Sequence, residues 1–338
     1  MERVNHDLAG MRIVITGGAG MLGSTIAAMA VRRGAKVTVL DALLPLYGGN
    51  LFNLDSVKDQ IAFVHGDIRD KDCVRAAVQG QEVVFNLAAQ VSYVDSNLDP
   101  HMDVEINCHG ILNVLEACRA VSPTARVIFS SSRFVYGRIE VNPVGEEHPF
   151  NCLSIYGIHK LAGEKYHRYF FDAYGIPTTS LRIANPYGPR QQMRHSKYGI
   201  LNWFIRQALD GNALTIYGDG VQKRDYVFVE DVAEGMLTVA QSQATVGEVY
   251  NIGSGQGTPF ITMAQTIATQ ISGTVIRQVE WPKDRYFVET GDFVADISRL
   301  EAATGWHPSI SIEEGIAKTV AYYREHHDRY WQANGLCT

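Results

Sequence analysis

Thr16-Gly17-Gly18-Ala19-Gly20-Met21-Leu22-Gly23 follows directly on an apolar run at residues 12–16 and opens a helical pattern. Glycines at this spacing let the backbone turn tightly and approach a pyrophosphate, which then rests on the outward-pointing amides of a helix N-terminus. Taken alone, the run is equally a glycine-rich strand-to-helix turn. Its surroundings favour the dinucleotide. Asp41 ends the second apolar run, at about the 20-residue spacing from which a carboxylate reaches the ribose hydroxyls of NAD. Ala42, Leu43 and Leu44 come next, with no Arg to accept a 2′-phosphate, so NAD is favoured over NADP. Asp67-Ile68 and Asn86-Leu87-Ala88-Ala89 close two further runs, and ligands of open parallel sheets bind at such strand ends. The expected cofactor contacts are Gly17, Gly20, Met21, Leu22, Gly23, Asp41, Asp67, Ile68, Leu87, Ala88 and Ala89.

Outward from this loop, apolar runs at residues 12–16, 36–40, 61–65 and 83–87 alternate with helical patterns at 24–33 and 70–78. An amphipathic stretch at 103–119, a strand at 126–130, a helix over about 154–173 and a strand at 178–183 continue the rhythm. The fold class this predicts is α/β, a Rossmann-type doubly wound parallel sheet covered by helices. After residue 184 the regularity loosens: 184–225 is rich in Pro, Gly and Tyr, 224–229 and 249–252 read as strands, and the end from 297 is mainly helical. The expected division is an NAD-binding domain over 10–184, with 226–255 returning to it, and a smaller interleaved α/β substrate domain from 185–225 and 256–330.

At 338 residues, 46% hydrophobic and 20% charged, the chain has ordinary globular composition. Its net charge of −6 and scattered Lys and Arg argue against a nucleic-acid surface. Cys73, Cys108, Cys118, Cys152 and Cys337 form no CxxC pair, and His101, His148 and His195 lack metal-ligand spacing, so no metal is expected. With no apolar stretch of membrane-spanning length and no apolar run in residues 1–10, the expectation is a cytoplasmic protein whose cysteines are reduced thiols.

Tyr156 and Lys160 stand one helical turn apart, so their side chains share a face. A nearby ammonium and a positive nicotinamide favour the phenolate, which lets Tyr156 act as a base. Among 16 tyrosines such a pair is also an ordinary surface motif. Upstream, Ser130-Ser131-Ser132 precedes Val135-Tyr136-Gly137 at the end of the fifth strand, where a hydroxyl can orient a reacting alcohol and its carbonyl product.

The glycine run, Asn86-Leu87-Ala88-Ala89, Ser-Ser-Ser-x-x-Val-Tyr-Gly, Tyr-x-x-x-Lys, Asn185-Pro186-Tyr187-Gly188-Pro189 and Gly218-Asp219-Gly220-x-x-x-Arg224-Asp225-Tyr226 occur in order over nearly the whole chain. In this the chain resembles the extended short-chain dehydrogenase/reductases that act on nucleotide sugars, UDP-sugar 4-epimerases among them. The resemblance implies Ser132 as catalytic serine, Tyr156 as acid/base and Lys160 as its electrostatic partner and a ribose ligand. It also implies that Asn185, Arg224 and Arg285 hold a nucleotide diphosphate, a role suited to the bidentate donors of Arg. A homodimer built on residues 103–119 and 154–173 is a further implication, although Val104, Cys108, Ile111, Leu112 and Leu115 serve equally as intramolecular core.

In the family resembled, a 4-keto sugar is the common intermediate. Returning hydride to the other face gives a 4-epimer. Loss of water needs an Asp-Glu pair directly after the Ser/Thr position, and here Arg133 and Phe134 stand there. A 4-epimerase of a UDP-sugar, a uronate among the candidates, has the fewest further requirements. Decarboxylation, 4-ketoreduction and dehydration remain alternatives, as does a non-catalytic NAD-binding sensor or scaffold, which the retained Ser, Tyr and Lys argue against. Arg133 stands where small residues are usual, and is read as a contact for an anionic or strongly hydroxylated sugar. His159 replaces the serine common before the lysine and is assigned no role.

Overall fold

The computed structural model describes residues 8–44, 47–281 and 290–331. In chain order its first half comprises β1 (Arg12–Thr16), α1 (Met21–Arg32), β2 (Lys36–Asp41), β3 (Ile61–His65), α2 (Lys71–Val78), β4 (Val83–Asn86), α3 (Tyr93–Leu98), α4 (Pro100–Val104), α5 (Ile111–Val121), β5 (Arg126–Ser132), α6 (Ile155–Tyr174) and β6 (Thr178–Ile183). The second half continues with β7 (Asn185–Tyr187), α7 (Ile200–Leu209), β8 (Leu214–Tyr217), β9 (Lys223–Phe228), α8 (Val229–Gln241), β10 (Val249–Ile252), β11 (Gly257–Pro259), α9 (Phe260–Gln270), β12 (Ile276–Val279), α10 (Ser298–Thr304) and α11 (Ile312–His326).

Seven strands form one parallel sheet in the order β10-β6-β5-β4-β1-β2-β3. Successive side chains of a strand point to opposite faces, and β1 shows the consequence. Ile13 and Ile15 enter the core that holds Ile26 of α1 and Val232 of α8, while Val14 enters the one that holds Val74 of α2 and Leu115 of α5. Both faces are thereby covered, and so the strands read as continuous apolar runs. The strand order reverses between β1 and β4, which opens a crevice above the C-terminal strand ends.

Helix starts follow local chemistry. Asp70, Ser92, Asp99, Ser154 and Ser311 each accept a first-turn N–H at the heads of α2, α3, α4, α6 and α11.

The second half differs from the sequence expectation in detail. Residues 226–228 end β9, which pairs with β7 and β11 in a small sheet, whereas α8 packs on α1 and β10 joins the large sheet beside β6. A third core of Phe204, Leu214, Met263 and Ile316 joins α7, α9 and α11 beneath the small sheets. The single amphipathic stretch at 103–119 is three pieces: α4, a π-helical turn at Glu105–Gly110, and α5. Cys108, Ile111 and Leu115 of this stretch are buried within the subunit, while Val104 and Leu112 are half-buried.

Candidate active site and cofactor cradle

A cavity of about 320 Å³ runs along the crevice from the glycine loop to β7. Every residue expected to contact the cofactor lines it: Gly17, Gly20, Met21, Leu22, Gly23, Asp41, Asp67, Ile68, Leu87, Ala88 and Ala89, together with Tyr156 and Lys160. Gly17 has a φ of +67°, and a Cβ there would lie 2.9 Å from the Ala88 Cα. At Gly23 a Cβ would lie 2.6 Å from the Gly18 Cα. Only glycine lets these segments close on one another. Gly20 stands at the N-cap of α1 and supplies no side-chain cap, so the first amides of the helix are left for a ligand anion at its positive end.

Side chains hold this loop in place. Thr16 Oγ1 accepts the N–H groups of Leu87 and Ala88 at 3.0 and 3.1 Å, locking the ends of β1 and β4 together. Asp41 accepts the Ala19 N–H at 2.9 Å and the Leu43 N–H at 2.8 Å. Burial pushes its carboxyl above the usual range, and those two amides work in the opposite direction. The carboxyl of Asp67 is held below its usual range by its hydrogen bonds with Arg69, one of them 2.6 Å long.

At the other end of the cavity, β5 sorts its three serines. The carbonyl of Ser130 accepts a hydrogen bond from Lys160 Nζ at 2.9 Å. Ser131 spends its hydroxyl on Glu164, 2.5 Å away, which is itself paired with Arg182. Ser132 is hydrogen-bonded to the Tyr156 side chain and lines the cavity beside it. Ser154 caps α6, and the Tyr156 N–H is held by Ser96 Oγ at 3.1 Å, so the helix presents Tyr156 and Lys160 on one face. Lys160 Nζ lies 5.8 Å from the Tyr156 ring centre.

Burial governs the proton affinities here. It pushes the Tyr156 phenol up; the Ser132 hydrogen bond opposes this, Asp103 adds to it, and the Arg133 cation lowers it. The lowering that the sequence led one to expect from Lys160 is not what governs the phenol: burial does, and burial also lowers the Lys160 ammonium to about 8.

The substrate side matches the sequence reading less well. Asn185 lines the cavity with its Oδ1 buried and, among the described residues, without a hydrogen-bond partner. Arg133 is not among the lining residues: its guanidinium lies over the rings of Phe134 and Phe293, at 4.7 and 5.4 Å, and donates to Thr290 Oγ1 at 3.3 Å. Nor does Arg224 line the cavity, since its guanidinium is buried, donates to the carbonyls of Lys223 and Gly291 and lies 5.4 Å from the Phe260 ring centre. Arg285 lies outside the described residues.

Sequence reasoning missed several lining residues. Phe134 meets the Tyr156 ring edge-on at 5.8 Å and stacks on Tyr93 at 5.4 Å. Tyr47, Gln191, Gln192 and Tyr198 also line the cavity. These lie in loops, where no periodicity announces a side chain's direction.

Among the described residues no cluster of His, Cys, Asp and Glu could hold a metal, and no helix is long and apolar enough to cross a membrane. The model of the NAD dependent epimerase/dehydratase family matches residues 13–253, a span reaching from β1 past β10. The chain belongs to this family. Its relatives include a UDP-glucose 4-epimerase of Mycolicibacterium smegmatis, 34% identical over 318 residues and covering 93% of this chain and 99% of that one. A dTDP-glucose 4,6-dehydratase of Xanthomonas campestris pv. campestris is 34% identical over 332 residues, covering 92% of each. The crystal structure of a UDP-glucose 4-epimerase with UDP-glucose from Thermotoga maritima superposes with a TM-score of 0.83 at 32% identity, covering 94% of this chain and 100% of that one.

Like its family, this epimerase/dehydratase relative takes NAD, and the cradle fits it. The uncapped head of α1 suits a pyrophosphate, and the Gly17 and Gly23 contacts leave the loop too close-packed for any larger side chain. Asp41 offers the cavity a buried carboxylate, an acceptor of the kind a ribose hydroxyl needs, and Lys160 lines the same cavity.

Proposed function

We propose that this protein is an NAD-dependent nucleotide-sugar 4-epimerase, with a UDP-sugar as substrate and a uronate among the candidates. The observation that carries the reading is the meeting of Ser132, Tyr156 and Lys160 at one end of the cofactor cavity, with Arg133-Phe134 following the serine where a dehydratase needs an acidic pair. Bound NAD would supply a hydride acceptor for the sugar C4. The chain's own part is proton and position. Tyr156 Oη takes the proton from the sugar O4, Ser132 Oγ holds that oxygen while it is a carbonyl, and Tyr156 later returns the proton. Lys160 offsets the phenolate charge. Phe134, itself stacked on Tyr93, packs edge-on against the Tyr156 ring and gives the tyrosine an apolar neighbour in the cavity. Asn185, whose Oδ1 needs a donor, meets the substrate from β7. Arg224 and Arg285 remain our candidates for the diphosphate, Arg224 through a side-chain movement from its present carbonyl partners.

The proposed division of labour assigns the cofactor to residues 10–184 with the return over 226–255, and the nucleotide sugar to 185–225 and 256–330. The proposed assembly is a cytoplasmic homodimer through α5 and α6, supported by the exposed Ile158 and Tyr169 on α6. The test is incubation with NAD and a panel of UDP-, dTDP-, CDP- and GDP-sugars, neutral and uronic, with products identified by mass and NMR. A C4 epimer of unchanged mass is the expected product. Loss of water, loss of CO2 or net cofactor consumption replaces the assignment with a dehydratase, decarboxylase or ketoreductase. Bound NAD without hydride exchange on any sugar favours a sensor.

A further inference from the structure

One buried carboxylate has no part in the chemistry described above. Asp103, on α4, has no exposed surface, and α4 packs against α6, which carries Tyr156 and Lys160. His159, the residue directly before Lys160, reaches back to it with Nδ1 2.5 Å from Asp103 Oδ1. The other oxygen, Oδ2, is buried with no hydrogen-bond partner among the described residues. A buried carboxylate satisfied on one side only contributes less to stability than an apolar side chain of its size would. Its presence therefore calls for an explanation in what it does to its neighbours.

Those neighbours are the acid/base pair. The Asp103 charge acts on Lys160, Tyr156, Cys108 and Tyr47, in each case favouring the protonated form. Other charged groups face the same cluster. Glu164 acts on Lys160 from α6 but is paired with Arg182 at 2.8 Å, and Arg133 acts on Tyr156 from the turn after β5. Asp95, Asp99 and Arg69 act on Tyr47 at the outer side, and Glu105 of the π-helical turn is engaged by His109. Among the described residues His159 is the one side chain hydrogen-bonded to Asp103.

The geometry points to Asp103, clamped by His159 against the helix of Lys160, as a positioning residue that supplies counter-charge to the Lys160 ammonium and sets the pH range over which the Tyr156–Lys160 pair works. This rests on the reading of Tyr156 as acid/base. A negative charge beside two titrating groups favours the proton on both, so removing it moves both in the same direction. With Asp103→Asn the phenolate forms, and the ammonium is lost, at lower pH. The bell-shaped profile of kcat is then translated acidward by about one pH unit, with KM little changed. His159→Ala frees the carboxylate to turn, lowering kcat roughly tenfold to a hundredfold. His159→Asn restores most of this, because its amide N–H can donate to the same oxygen.

The experiment is the pH profile of kcat and KM for the wild type and these three variants, all saturated with NAD. A joint acidward displacement in Asp103→Asn, with rescue of His159→Ala by His159→Asn, is expected. Unmoved limbs, with loss of thermal stability alone, overturn the proposal. If Asp103→Asn does not fold, the His159 pair decides: a wild-type profile in His159→Ala, or no rescue by Asn, overturns it. If no nucleotide sugar is turned over, the function proposed above fails, and the inference is read separately from the 13Cζ resonance of labelled Tyr156 in the NAD-saturated protein, assigned with Tyr156→Phe. An earlier titration in Asp103→Asn than in the wild type upholds the inference, and coincident titrations overturn it.

Discussion

Lys160 Nζ donates to the Ser130 carbonyl at 2.9 Å, tying the helix that carries Tyr156 to the strand that carries Ser132. Burial lowers this ammonium to about 8. Activity that needs the cation is expected to fall as pH rises through about 8, and Lys160→Arg, which keeps its charge, to move that limb upward while reducing kcat. Stability runs the other way. An unfolded lysine holds its proton to about 10.5, so between about 8 and 10.5 the unfolded chain binds more protons and this residue's contribution to stability rises with pH. Denaturant midpoints across that range for wild type and Lys160→Met check the sign, and the variant is expected to lose the slope.

Tyr156→Phe and Ser132→Ala are each expected to lower kcat by about 10²- to 10⁴-fold while NAD still binds. Single-turnover kinetics and calorimetric titration with NAD separate the two effects. Loss of NAD affinity as large as the loss of kcat would count against the proton-transfer role.

Gly17→Ala introduces a side chain at a φ of +67° and 2.9 Å from Ala88 Cα. A loss of about 1–3 kcal/mol in stability is expected, with weakened NAD binding because the loop must open. Asp41→Asn keeps an acceptor but removes the charge that repels a 2′-phosphate, so the ratio of NAD to NADP affinity should fall. Melting temperatures and cofactor titrations report both.

His167 is buried against Phe129, and burial lowers its imidazole to about 4 from its usual 6.5. Between those values the unfolded chain takes up a proton that the folded one refuses, so acidification from about 6.5 to 4 removes stability. His167→Asn should flatten this part of the stability-against-pH curve, whatever its effect at neutral pH.

Arg133→Ala removes a guanidinium lying over Phe134 and Phe293 and hydrogen-bonded to Thr290. A stability loss of about 1–3 kcal/mol is expected, with the ratio of activities on uronic and neutral sugars unchanged. A change in that ratio would place Arg133 at the sugar after all.

The first half of the fold was legible because its signals are local. Strands β3 and β6 fall on the apolar runs at 61–65 and 178–183 residue for residue, as does β10 of the second half on the run at 249–252. Helix α7, by contrast, lies inside a stretch marked by Pro, Gly and Tyr, and the π-helical turn at Glu105–Gly110 keeps an amphipathic pattern that a plain helix would share. The Asn185 position was likewise readable from its motif, whereas the directions of Arg133 and Arg224 were not, since each long side chain chose an aromatic ring and a nearby oxygen over the cavity.

The sequence by itself determined the cofactor loop, the parallel sheet and the chemical identity of Ser132, Tyr156 and Lys160, because backbone conformation and covalent spacing act over a few residues. Tertiary structure decided that Ser131 turns to Glu164 and the Ser130 carbonyl to Lys160, where the arginines point, and that Asp103 and His159 meet. Those outcomes depend on which surfaces are removed from water together, and burial, which also sets the proton affinities of Tyr156 and Lys160, is a property of the packed molecule.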